Sequence, residues 1–448
     1  MPRNAHTMRK SDLSPNTLKV LEHLIFKGYK AYAVGGCIRD QLMGKPPKDF
    51  DVVTNATPEQ IKACFRNCRL IGRRFRLAHI TFGREIIEVA TFRGHHDSQE
   101  SPPLEQKPKV SSSVSKVNKR GGDKPFDNVL SKQNEAGQLL RDNIFGSIEE
   151  DAARRDFTFN AMYFDVTDES ILDFAKGVDA ISSRTVVMIG DTETRFREDP
   201  VRMIRAIRFA SKLDMQLPLA LSKCIKKHAY LLANIPAARL FEEVSKLLLS
   251  GNGLTTFQSL LNHNLLAQLF PLLTALVQDT NGKEYLFIET MLKNTDKRIN
   301  NDQRITPAFL YAAFLWYPME ERAQELMFES SMTAHDAHNL AAAEVLLQQT
   351  RRIMIPKRFS MPVREIWGLQ SRLQKRQGRR CLQLLTHPRF RAAYDFLLLR
   401  GMVEGGTLLD TAQWWTVFQE ASSNQQTKMI NELPNTGPRR RNRRKPKK

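Results

Sequence analysis

The spacing of apolar residues changes period once along this chain, and that change limits the architectures open to it. Up to about residue 175, short strand-like apolar runs alternate with short helical ones, separated by Gly, Pro and Asp; from about Thr192 onward the period is helical almost everywhere. Strands interleaved with helices call for a sheet covered by helices. A long helical stretch must instead bury its apolar stripes against other helices. The expected fold class is therefore α+β: an N-terminal mixed α/β head followed by an all-helical neck and body. At 448 residues, 41% of them hydrophobic, the chain can bury cores in more than one domain.

Punctuation refines this outline. Ser14-Pro15 opens a first helix that Gly28 closes, residues 31–34 read as a strand, Gly35-Gly36 as a turn and residues 37–43 as a short helix. Further strands are expected at 50–53, 69–71, 77–82, 85–92, 162–166 and 171–174, with helices starting at Thr57-Pro58-Glu59 and spanning 148–157. Residues 97–138, centred on SSSVSKVNKRGGDKP, interrupt the pattern and read as a mobile insertion. The expected organisation is an N-terminal extension (1–13), a head (14–175), a helical neck (176–250), a helical body (251–420) and a disordered basic tail (421–448).

No apolar run reaches the roughly 18 residues that span a bilayer, and the N-terminus has no apolar stretch resembling a signal peptide. The five cysteines, Cys37, Cys64, Cys68, Cys224 and Cys381, are odd in number, scattered and without a CxxC pair, which argues against a disulfide framework or a zinc site. A cytoplasmic location is the expectation.

The net charge of +20 is concentrated rather than spread. Residues 351–400 hold 13 Lys+Arg against 2 Asp+Glu, and residues 439–448 hold 8 basic residues and no acid, which leaves the rest of the chain almost neutral. Concentrated positive charge is what phosphate backbones bind. The first island, with Arg351, Arg352, Lys357, Arg358, Lys375, Arg376, Arg379, Arg380, Arg389 and Arg391, is the candidate RNA-binding surface. It interleaves charge with Phe359, Trp367, Phe390 and Tyr394, most of which read better as core residues than as stacking platforms. The second island, PRRRNRRKPKK, is broken by proline and reads as a tail that binds nucleic acid loosely or aids solubility.

Chemistry first shows in Lys48-Asp49-Phe50-Asp51-Val52-Val53-Thr54. In an extended strand Asp49 and Asp51 share one face, roughly 7 Å apart along the chain. Such a pair can bridge two Mg²⁺ ions about 3.5–4 Å apart, although two Asp near a strand end are more often surface or turn residues. Upstream, Gly35-Gly36 stands between a strand and a helix start, where backbone N–H groups can approach a phosphate and Arg39 adds a cation. Glu88, inside an apolar strand, either completes a metal triad or points to solvent. The pairs His96-Asp97 and His335-Asp336 lack the partner ligands of a metal site and read as ordinary polar positions.

Strand, GG turn, helix with Arg-Asp, then DFD on the next strand resembles the head of the class II nucleotidyltransferases, which comprise bacterial poly(A) polymerases and CCA-adding enzymes. Two more segments carry the resemblance: Arg154-Arg155-Asp156-Phe157-Thr158-Phe159-Asn160-Ala161 is similar to the family's RRDFTxNA motif, and the run from Arg197 to Phe209 to its EDxxRxxRAxRF motif. The segment from Leu70 through Gly72-Arg73-Arg74-Phe75-Arg76 to His79-Ile80 resembles the poly(A) polymerase branch, as do the basic body and the Arg-rich end.

The resemblance implies the following roles. Asp49 and Asp51 form the metal-binding catalytic pair, Asp156 joins them as an acidic site residue, and Glu88 is a third metal ligand. Gly35, Gly36 and Arg39 hold the triphosphate; Arg155 and Asn160 anchor the nucleotide; Asp199 and Arg202, with Arg205 beside them, face its base. A carboxylate and a guanidinium together match the amino group and ring nitrogen of adenine or cytosine and reject uracil, so the motif alone leaves A-only and CCA addition open. Arg208 fits either this set or a solvated helix stripe. The implied activity is template-independent transfer of AMP from ATP to RNA 3′ ends with release of pyrophosphate, using Mg²⁺. Alternatives are a CCA-adding tRNA nucleotidyltransferase and a non-catalytic RNA-binding protein that keeps the fold. The expected partners are RNA 3′ ends and ATP, with no membrane, and the expected state is a monomer open to RNA-decay or RNA-chaperone proteins.

Overall fold

The computed structural model describes residues 1–72, 76–94, 131–133, 139–142, 144–376, 378 and 380–433. The chain divides into two compact units, one of Met1–Arg202 with Asp214–Cys224, the other of Met203–Leu213 with Ile225 onward.

The first unit is built on a mixed sheet. In chain order its elements are α1 (Pro15–Phe26), β1 (Ala31–Val34), α2 (Gly36–Leu42), β2 (Asp51–Thr54), α3 (Pro58–Cys64), β3 (Cys68–Ile71), β4 (Leu77–Phe82) and β5 (Glu85–Thr91). A two-stranded ribbon of β6 (Ser131–Gln133) and β7 (Leu139–Asp142) follows, so part of the span read as a mobile insertion is strand. Then come α4 (Ile148–Arg154), β8 (Met162–Phe164), β9 (Ile171–Asp173), α5 (Gly177–Ser182), α6 (Thr192–Glu198) and the start of α7 (Val201–Leu213). The seven-stranded sheet runs β3-β4-β5-β2-β1-β8-β9, and β2 pairs with β5 in parallel.

Local chemistry sets these elements. Ser14 caps α1 by accepting the Thr17 N–H, and Thr57 with Gln60 forms a capping box at α3. Period-2 alternation then sorts side chains between two faces. Ala31, Ala33, Val52, Val89, Met162 and Phe164 pack on one face with Val20, Leu21 and Leu24 of α1, Ile38 of α2 and Ile61 of α3. Val34, Val53, Ala161 and Tyr163 face the other way, against Ala152 of α4. The second face carries the polar residues described below.

Residues 1–13, expected to be a ragged extension, pack on this unit. Met8 and Leu13 are buried, and Met1 exchanges backbone hydrogen bonds with Ile171, covering edge strand β9.

Described by itself, the second unit is helical, with α8 (Leu219–His228) ending in it. Its helices are α9 (Ala237–Leu248), α10 (Gly253–Asn262), α11 (Leu265–Leu269), α12 (Pro271–Leu276), α13 (Lys283–Asn300), α14 (Pro307–Phe314), α15 (Trp316–Ser330), α16 (Ala334–Arg352), α17 (Lys357–Gln374), α18 (Arg380–Leu385), α19 (Phe390–Glu404), α20 (Gly406–Glu420) and α21 (Ser423–Asn431). Aromatic rings fill its core: Phe257, Phe270, Tyr311 and Phe314 meet edge to face or tilted, and Phe287 and Trp316 meet Phe396. Trp367 and Trp415 donate their indole N–H groups to Ala312 and Leu373 carbonyls. Trp367, Phe390 and Tyr394 are core residues, as their apolar spacing suggested. Among the described residues no helix is long and apolar enough to cross a membrane.

Candidate active site

The parallel pairing of β2 with β5 sets Asp51 directly beside Glu88. Residues paired in parallel strands project to the same face, here the one with Val53 and Ala90 rather than the face closed by α1 to α3. Asp49, two residues before Asp51, lies just ahead of the strand and is exposed. The Asp51 carboxyl, at an exposed position with protein packed around its base, is pushed up to about 6, first by partial desolvation and then by the Glu88 charge, with Arg155 opposing and Asp49 adding to the rise. On the far side of Glu88, His79 of β4 is its register partner, with Nε2 3.2 Å from the carboxylate. Of the row Asp51–Glu88–His79 across three strands, His79 is the member to which the sequence reading gave no role. A histidine in an alternating strand carries no signal until the sheet order is known. Among the described residues no three His, Cys, Asp or Glu side chains form a ready-made metal cage.

The turn from β1 into α2 shapes the adjoining wall. Gly35 adopts φ +79°, ψ −120°, a conformation that only glycine takes easily, and donates its N–H to Met162 O at 3.1 Å. One turn on, buried Arg39 donates from Nη1 to Asn160 Oδ1 (2.7 Å) and from Nε and Nη2 to Asp40 (2.8 and 2.6 Å). Asn160 donates onward to Asp156 at 3.2 Å. Four residues from two motifs thus form one relay, Asp40–Arg39–Asn160–Asp156, buried at its centre and partly exposed at its ends.

Arg155 is held as firmly. Its Nε and Nη2 donate to buried Asp151 (3.1 and 3.0 Å), Nε also lies 3.1 Å from the Tyr163 hydroxyl, and Nη1 donates to Asn160 O (3.2 Å). Tyr163 completes the triangle by donating to Asp151 at 2.8 Å. Burial disfavours the Arg155 charge, but Asp151 and Tyr163 more than offset it and raise its pKa. Asp151 and Tyr163 had no role in the sequence reading; both acquire one through this arginine.

The third cluster lies where α6 meets α7. Glu198 Oε2 accepts from Arg195 Nη1 (2.7 Å) and Arg202 Nη1 (2.8 Å), and Arg195 Nη2 donates to the carbonyls of Arg154 and Arg155. Arg202 Nη1 also reaches Arg195 O at 2.9 Å, while its Nε and Nη2 make no hydrogen bond among the described residues. Arg195 is held at about 10, below an ordinary arginine, by burial and then by Arg202, with Glu198 opposing. Asp199 caps the end of α6 and accepts from Val201 N at 3.4 Å. Arg205 belongs to the second unit, its guanidinium 5.5 Å from the Phe209 ring centre.

The basic segment separates into different kinds of cation. Arg351, Lys357, Arg358, Lys375 and Arg380 are exposed and form no ion pair among the described residues. Arg389 pairs with Glu365 and Arg391 with Asp395, each through one contact near 3 Å. Arg376 lies over Trp414. Arg352 is turned inward to the carbonyls of Gln268 and Ala233, so its guanidinium braces helices rather than facing solvent. Arg379 lies outside the described residues, as do Arg73, Arg74, His96, Asp97 and the basic end of the chain. Asp336 accepts a 2.7 Å bond from Thr333 at the start of α16, and His335 lies 3.1 Å from Asn339.

These arrangements accord with known proteins. Residues 31–187 match the family description "Poly A polymerase head domain", residues 214–276 "Probable RNA and SrmB- binding site of polymerase A" and residues 330–448 "Polymerase A arginine-rich C-terminus". The chain is 48% identical to poly(A) polymerase I of Salmonella typhimurium over 451 residues, covering 100% of this chain and 91% of that protein. A CCA-adding enzyme of Geobacillus stearothermophilus is 33% identical over 231 residues, 52% of this chain and 48% of that one. Among solved structures, the CCA-adding enzyme of Bacillus stearothermophilus in complex with CTP superposes with a TM-score of 0.54 at 22% identity, covering 95% of this chain and 90% of that one, a likeness of fold. The sequence match to that CCA-adding enzyme covers about half of the chain, whereas that to poly(A) polymerase I covers all of it, the arginine-rich helices included; the chain belongs to the poly(A) polymerase family.

Proposed function

We propose that Asp49, Asp51 and Glu88 hold Mg²⁺ for the polyadenylation reaction, in which AMP passes from ATP to an RNA 3′ end and pyrophosphate leaves. The observation that carries this reading is the in-register placement of Asp51 beside Glu88, with the Asp51 carboxyl driven up by crowding and by neighbouring carboxylates. Fixed like charges on one open face are costly unless a cation joins them. An all-oxygen donor set suits Mg²⁺, and Mg²⁺ characteristically takes one or two carboxylates plus substrate phosphates rather than a closed protein cage. Bound there, the ion supplies Lewis-acid stabilisation of charge on the transferring phosphoryl group and the departing pyrophosphate.

The chain's own residues do the positioning. The Asp40–Arg39–Asn160–Asp156 relay fixes Arg39 next to the Gly35 turn, which supports a triphosphate-binding role for that turn. Glu198 pins one nitrogen of Arg202, so the remaining Nε–Nη2 edge can meet a base beside Asp199. The exposed cations of residues 351–380 track RNA phosphates without reading sequence. Asp49→Ala and Asp51→Ala test the assignment: each should abolish AMP incorporation into a generic RNA while RNA binding by anisotropy persists. Incorporation retained in both variants removes the metal assignment, and addition that requires CTP first and stops after three nucleotides removes the ATP-only reading.

A further inference from the structure

The helical unit contains a cleft of about 400 Å³ lined by α15, α16, α17 and Arg400 of α19. Its buried wall is apolar, with Trp316, Met319 and Trp367, and its rim is cationic, with Arg364 and Lys375 exposed and unpaired among the described residues. The lining holds a single carboxylate, Glu320, and His338 faces it. The ring nitrogens of His338 lie 2.8 Å from Glu320 Oε1 and 2.7 Å from Ala334 O, two acceptors that together favour the imidazolium form and so offset the Glu320 charge. Arg400 gives Nε and Nη2 to Glu404 and lies over Trp316. The cleft as a whole therefore favours an anion.

Two further features point to a ligand with a body as well as a charge. Gly368 sits inside α17, where glycine weakens a helix, yet it has no positive φ and a Cβ added there meets nothing within 4 Å. Neither packing nor backbone conformation calls for glycine; the space it leaves opens into the cleft. Two residues on, Gln370 is 2% exposed and donates Nε2 to Ile366 and Ala393 carbonyls, while its Oε1 has no partner. A buried acceptor without a donor is rare in a finished core; here the oxygen is covered, and a donor in the cleft reaches it once the Gln370 amide turns toward that space.

An anionic group, a flat or apolar body and a donor on its edge describe a nucleotide, and the volume lies in the range of small-ligand sites. We propose that the cleft seats one nucleotide of the RNA strand being extended, its phosphate on Arg364 and Lys375 and its sugar or base in the space beside Gly368, donating to Gln370 Oε1. The inference rests on RNA binding by the helical body. A polyanion fits better than a free nucleotide because the rim belongs to a segment with 13 Lys+Arg against 2 Asp+Glu.

The test uses the full chain and a fluorescein-labelled 15-mer of oligoadenylate without ATP, titrated at several salt concentrations. Gly368→Phe fills the cleft from an open helix position and should weaken RNA binding about tenfold. The surface double variant Arg364→Ala/Lys375→Ala should lower affinity by a similar factor and make the salt slope shallower by about 1.4, roughly 0.7 per lost phosphate contact. Wild-type affinity and slope in the double variant overturn the proposal, whether or not Gly368→Phe folds. ATP binding without RNA is measured in parallel: its loss in Gly368→Phe assigns the cleft to a free nucleotide and overturns the RNA occupant. Absence of RNA binding in the unmodified chain would instead mark failure of the underlying reading.

Discussion

Replacing Glu198 by Gln tests whether the cluster between α6 and α7 is a brace for Arg202. The native carboxylate binds Arg195 and Arg202 through one oxygen, at 2.7 and 2.8 Å, with side-chain exposures of 11% for each arginine and 23% for Glu198. Glutamine keeps the shape and an acceptor but removes the charge, leaving two confined guanidinium groups to repel each other. Breaking a fully buried ion pair costs about 3–5 kcal/mol; for a pair with residual solvent contact, about 2–3 kcal/mol is the expectation. At about 2–4 °C per kcal/mol for a domain of 150–250 residues, the first thermal transition should fall by roughly 5–10 °C. Arg202 then loses its fixed edge, and the KM for ATP should rise about tenfold, equivalent to about 1.4 kcal/mol of binding, with a smaller change in kcat. Thermal unfolding and initial rates of AMP incorporation against ATP concentration supply both readouts, and CTP as competitor should become less well excluded. A Glu198→Gln protein that melts within about 1 °C of the parent and keeps its ATP KM would refute the brace.

Three other outcomes are expected. Gly35→Ala, at φ +79°, ψ −120°, should cost about 1–3 kcal/mol by denaturant unfolding and raise ATP KM, and a neutral substitution would remove the conformational argument for this turn. The pKa of His338 is raised, chiefly by its hydrogen bond to Glu320, from an ordinary value of 6.5. Its contribution to stability is then complete below about 6.5 and lost as pH rises through the higher folded value. The His338 share of the melting temperature should accordingly decline as pH rises above about 6.5 in the parent and flatten in Glu320→Gln; identical pH profiles would contradict this. Truncation before Pro438 removes 8 basic residues and should weaken RNA binding and flatten its salt dependence without altering ATP affinity, whereas an unchanged salt slope would return that segment to a solubilising role.

Strand positions were legible because alternation and glycine punctuation are local: residues 31–34 and 77–82 form strands over the expected ranges, and β5 ends one residue early. The capping signal at Thr57 worked for the same reason. What could not be read was whatever depends on which strands become neighbours. Asp51 and Glu88 are 37 positions apart in sequence and adjacent only because β5 joins β2 in parallel; His79 becomes relevant only because β4 then pairs with β5. Asp151 looks like one more acid in the first turn of α4, where acids favour the helix dipole, and nothing local says that Arg155 and Tyr163 converge on it. Met8 and Leu13 were missed because two isolated apolar residues make no period, although each finds a place in the core.

The same limit changes what the positive charge can do. A sequence count treats all 13 Lys+Arg of residues 351–400 alike, and at roughly 0.7 per single-strand phosphate contact they would give a salt slope near −9. Folding commits several of them. Arg352 binds carbonyls, Arg400 binds Glu404, Arg389 and Arg391 face carboxylates, and Arg376 lies on an indole. Exposed, without an ion pair and off any ring among the described residues are Arg351, Lys357, Arg364, Arg372, Lys375 and Arg380, while Arg358 lies over Phe359; these six account for a slope near −4. Because committed arginines hold helices together, replacing Arg352 or Arg400 should register first as lost stability, and replacing Arg364 or Lys375 as lost RNA affinity. A measured slope well beyond −4 in a chain lacking its basic end would mean that further cations, from outside residues 351–400 or from these internal pairs, also meet phosphate, and substitution of the six exposed cations separates their share from the rest.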